Sequence, residues 1–63
     1  MKLLHIFDMC RDDQKIILVN NQETITGTVS AMQLMLDVQI EAANVINIEA
    51  VNNHIKVFVE VNE

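Results

Sequence analysis

His5, Asp8 and Met9 stand three to four residues apart, with Cys10 beside them. On a helix that spacing puts an imidazole, a carboxylate and a thioether on one side, the raw material of a metal or thiol site. The rest of the chain does not complete it. A structural zinc site takes about three or four nitrogen and sulfur ligands, and this chain has one Cys and two His in all. A nucleophilic thiol would need a base and a group to orient that base, and the only other imidazole, His54, follows an Asn-Asn pair and reads as an exposed hairpin residue. Cys10 is therefore expected to be an inert thiol packed like a small apolar group.

The adjacent carboxylates of Asp12 and Asp13 could draw a hard cation. Calcium needs several oxygens spaced around a glycine, however, and no such loop is present. Their expected part is structural, as side-chain acceptors in a break between elements. GxxxxGK[ST], GxGxxG, GxSxG and HExxH are all absent, so phosphate-binding and hydrolase templates have nothing to attach to. The expectation is a non-enzyme with no catalytic residue, cofactor or metal.

These residues must be held by a very small structure. A chain of 63 residues makes a single domain, 1–63, and at this size a core rarely supplies more than about 3–5 kcal/mol of net stability. One cysteine excludes an internal disulfide. With 51% hydrophobic residues in so short a chain, self-association is the expected support, and a homo-oligomer, most simply a dimer, is the expected state. No run approaches the roughly 18 apolar residues of a membrane span, and the opening MKLLHIFDMCRDD turns acidic before a signal-like stretch develops. A cytoplasmic protein with no membrane partner is expected. The net charge of -5 repels a phosphate backbone, so no nucleic acid is expected as partner.

Stepping along the chain, Leu3, Phe7 and Cys10, with Leu4 and Ile6 beside them, predict a short amphipathic helix over 2–10. Residues 14–19 are β-branched and end at Asn20-Asn21, and after a polar turn Thr24 to Val29 alternates, so the two segments predict a hairpin. Gly27 inside the second strand marks a bulge or a close backbone approach. Ser30 followed by Gln33 matches a capping box and predicts the start of a second helix running on from Ala31. Its apolar residues Met32, Leu34, Met35, Leu36, Val38 and Ile40 wrap around the axis, so one side could cover a sheet and the other a second chain. They are the candidate oligomer interface, and Met9, Met32 and Met35 could supply an adaptable surface.

Beyond Asn44, Ile46, Ile48 and Ala50 alternate with Asn47 and Glu49, and after an Asn52-Asn53 turn Ile55, Val57, Val59 and Val61 alternate with His54, Lys56, Phe58 and Glu60. The expected fold is α+β, in the order αββαββ, a small antiparallel-rich sheet with two short helices.

Two resemblances follow from these segments. The order of Gln14-Lys15-Ile16 to Val19, Gly27-Thr28-Val29 with a short helix, and Ile48-x-Ala50-x-Asn52-x-x-Ile55-x-Val57 resembles short uncharacterised proteins of phages, plasmids and integrated elements in Gram-positive bacteria. That resemblance implies a mobile-element context and no assigned activity or site residue. A short helix leading into β-rich sequence with Gly27 in the second strand also looks like an Sm-type or SH3-like small barrel, which would imply a nucleic-acid-binding module. The Asp, Met and Asn that hold RNA after the glycine in that family are missing here, and Met32 to Leu36 favours helix.

Overall fold

A computed structural model describes residues 1–21 and 23–60. Its elements are α1 (Leu3–Met9), β1 (Lys15–Val19), β2 (Thr24–Thr28), α2 (Val29–Met35), α3 (Val38–Glu41), β3 (Asn44–Val51) and β4 (His54–Glu60). The fold is α+β, as expected, with four strands in one sheet ordered β2-β1-β4-β3. Both hairpins, β1 with β2 and β3 with β4, are antiparallel. They join through a central parallel pair, β1 with β4, so the sheet is mixed. It is open, with β2 and β3 as its edges, and the small-barrel alternative is thereby overturned. The reason is local: the residues after Gly27 and Thr28 leave the sheet as helix, so the chain never returns a strand to β2.

Facing residues in paired strands share a side of the sheet. Ile16 opposes Ile55 and Gly27, Leu18 opposes Val57 and Ile25, and Val59 opposes Val45. These line the covered side, where Ile16, Leu18, Val57 and Val59 are buried with Leu3, Ile6 and Phe7 of α1, Val29 and Met32 of α2, and Ala43. The other side carries Lys15, Ile17, Val19, Thr24, Thr26, Lys56 and Phe58, all partly or fully exposed. The expected core face of the last strand holds at Ile55, Val57 and Val59; Val61 lies outside the described residues, as does Gln22 in the expected polar turn. The Asn52-Asn53 turn has both residues at positive φ, 46° and 68°, the conformation that a tight two-residue hairpin demands and Asn tolerates.

Two expectations change. The second helix does not start at Ser30: Thr28 is the N-cap, extended at φ -84° and ψ 164°, and its Oγ1 accepts from Ala31 N at 3.2 Å. The first free donors of α2 meet backbone across the gap instead, Val29 N donating to Gln14 O at 3.0 Å and Ser30 N to Asp12 O at 3.1 Å. So the backbone carbonyl of Asp12 does the accepting expected of the Asp12 side chain. Nor is the helix continuous. Leu36 is extended, and Asp37 caps a separate α3, its Oδ1 accepting from Ile40 N at 3.0 Å. An Asp favours the N-cap over a helix interior because its short carboxylate reaches the orphan amides of the following turn.

Candidate functional site

Among the described residues, none of those with catalytic potential converge. The His5 ring serves its own helix: Nδ1 accepts from the Lys2 backbone N at 3.3 Å, while His5 N donates back to Lys2 O at 3.0 Å. That reciprocal pair satisfies groups that a helix start leaves open. Lys2 Nζ reaches Ala42 O at 3.1 Å and ties the same point to the end of α3. At the opposite end of the sheet, His54 Nδ1 lies 3.0 Å from Asn52 O in the hairpin turn. Cys10 is half-buried and free, packed against the core. Among the described residues no group of three or more His, Cys, Asp or Glu could hold a metal ion.

The described residues also line shallow depressions. One, of about 530 Å³, is lined by Gln14, Ala50 to Ile55 and the hairpin turn between them. Another, of about 250 Å³, lies among Lys2, Gln39, Ala42, Ala43, Asn44 and Glu60. Neither brings together titratable groups in the way a reaction centre requires.

What the molecule does present is apolar surface. Met1, Leu4, Met9, Leu34, Met35, Val38, Ile46, Ile48 and Val51 are all exposed. The candidate interface set divides. Met32 is fully buried beneath α2, and Leu36 and Ile40 pack against the core. Leu34, Met35 and Val38 stay on the surface at 90%, 61% and 80% exposure. Within α2 the helical period separates buried Met32 from exposed Leu34 and Met35, and the break at Leu36 and Asp37 sets the positions that follow.

A second apolar surface escaped the sequence reading. Strand β3 is exposed along nearly its whole length, with only Val45 half-buried. A bulge between Val45 and Asn47 shifts its register, so Val45 takes the inward place opposite Val59, and Ile46, with no partner on β4, is 63% exposed. Ile48 and Ala50, opposite Val57 and Ile55, face the helix side. They remain exposed there because two seven-residue helices and one of four residues are too short to roof a four-stranded sheet. The alternation of Ile46, Ile48 and Ala50 was a signal for a strand, but alternation carries no sign of whether the apolar row will be covered.

No family model, no curated protein and no solved structure matches the chain. The surface must therefore be read from its own chemistry. No helix among the described residues is long and apolar enough to cross a membrane.

Proposed function

We propose that the chain is a non-enzymatic protein-interaction domain of the cytoplasm that works as a homo-oligomer, most simply a dimer. The observation that carries this reading is the combination, among the described residues, of a core of ten buried apolar residues with nine large apolar side chains left exposed. So small a core supplies only a few kcal/mol, and covering part of that exposed surface adds stability in proportion to the apolar area removed from water. The dispersed carboxylates and the net charge of -5 favour a protein partner over nucleic acid. The mobile-element context is carried by the resemblance of the quoted segments alone.

Sedimentation and thermal melting test the reading together. Oligomers should sediment at no less than twice the 7.2 kDa of the chain, with a melting temperature that climbs as protein concentration is raised. A monomer at high micromolar concentration with a concentration-independent melt would sink it.

A further inference from the structure

Resting on the reading of the chain as a homo-oligomer, we infer that copies join through the free edge of β3, antiparallel to itself across a two-fold axis near Ile48, so that two sheets become one. The case starts from the backbone. The two-residue turn at Asn52-Asn53 makes Val51 and His54 the closing hydrogen-bonded pair, and bonded and non-bonded pairs alternate from there. Ala50 with Ile55 and Ile48 with Val57 are then non-bonded pairs, whose own N–H and C=O groups on β3 point away from β4. An outward row of this kind is a template for another strand.

The chain already uses this edge. Its own first residues pair antiparallel with the start of β3: Lys2 bridges Asn44, Val45 N donates to Met1 O at 2.8 Å, and Leu3 N donates to Ala43 O at 3.0 Å. Past Val45 no described residue pairs with this edge. At Ile48 a side chain fills in, Asn47 Oδ1 accepting from Ile48 N at 2.9 Å, where an incoming carbonyl would bind.

The sequence of the edge selects a second copy as the occupant. Ile46-Asn47-Ile48-Glu49-Ala50 has the same polarity pattern read in either direction about Ile48. Antiparallel self-pairing centred there sets Ile46 against Ala50, Ile48 against Ile48, and the carboxylate of Glu49 against the amide of Asn47. A centre one residue further on would oppose Glu49 to Glu49, and like charges directly opposite destabilise a sheet. Helix α2 offers less. Its exposed Leu34 and Met35 are separated from Val38 by the break between α2 and α3.

The test compares sedimentation of the full chain with that of edge and helix variants. Ala50→Pro removes an outward N–H without touching the ladder to β4, and Ile48→Lys places a charge at the centre of the pairing. Each should raise the dimer dissociation constant at least tenfold, while Leu34→Lys and Val38→Lys leave it within about twofold. Asn47→Val, which removes the competing side-chain acceptor, should tighten the dimer. Should an edge variant fail to fold, hydrogen exchange on the unaltered chain decides instead: the Ile48 and Ala50 amides gain protection as concentration rises. A dimer split by the helix variants and indifferent to the edge variants, or with no gain of protection at those amides, overturns this interface and leaves the oligomer standing. A chain that is monomeric throughout overturns both.

Discussion

Gly27 stands on the covered side of β2, with α2 lying over it. A methyl group added there would meet Ala31 Cβ at 3.9 Å and Met32 Cγ at 3.9 Å, both ordinary contacts, and its φ is not positive. Nothing in the folded state demands glycine, while the unfolded chain loses freedom when it is replaced. Gly27→Ala should therefore stabilise by about 0.4–1 kcal/mol, read from a shifted urea midpoint with an unchanged slope. Val57 and Lys56 are a sharper pair, adjacent in sequence but on opposite sides of the sheet. Val57 is fully buried, and Val57→Asp strands a charge at a cost of several kcal/mol, comparable to the whole stability of so small a domain. Lys56 has its ammonium 5.2 Å from the Phe58 ring centroid on the solvated side, so Lys56→Gln should cost only about 0.5–1 kcal/mol. Circular dichroism melts of the two variants check this; equal losses would refute the register.

At the scale of elements, the caps decide where the helical half of the chain begins and breaks. Thr28→Ala should cost about 1 kcal/mol and Ser30→Ala only a few tenths, because Thr28 Oγ1 holds the Ala31 amide. Asp37→Ala should cost about 1 kcal/mol by freeing the Ile40 amide. Equilibrium denaturation of the three variants ranks them. The strands were legible because period-two alternation and the Asn-Asn turn are local signals that tertiary context did not override. The helical break was legible in principle at Asp37, but Met32, Leu34, Met35, Leu36, Val38 and Ile40 make so broad an apolar stripe that one helix accounts for them as well as two. The bulge at Ile46 and the parallel join of β1 to β4 left no such local mark, since each depends on which strand arrives alongside. For the candidate interface, composition pointed to exposed apolar surface, but it could not assign Met32 to the core or reveal the bare edge of β3.

At the scale of the molecule, the described residues bring together no group of ligands for a metal ion. Chelator and reductant should each leave the melting temperature unchanged, and a fall of many degrees in chelator would reveal a structural metal. The central parallel pair has a kinetic consequence. Each hairpin closes through neighbours, whereas β1 meets β4 across a loop that contains β2, both middle helices and β3, as in the 3.2 Å bond from Gln14 Nε2 to Asn53 O between residues 39 apart. The entropy of closing that loop is lost before any parallel contact compensates it. The two hairpins should form early and the central seam last, so the seam is the rate-limiting event of folding. In stopped-flow refolding, Leu18→Ala should then both slow folding and speed unfolding, since Leu18 faces Ile25 in the early hairpin and Val57 across the late seam. A rigidified Asn52-Asn53 turn should speed folding and leave unfolding nearly unchanged, because that hairpin is already formed when the barrier is crossed.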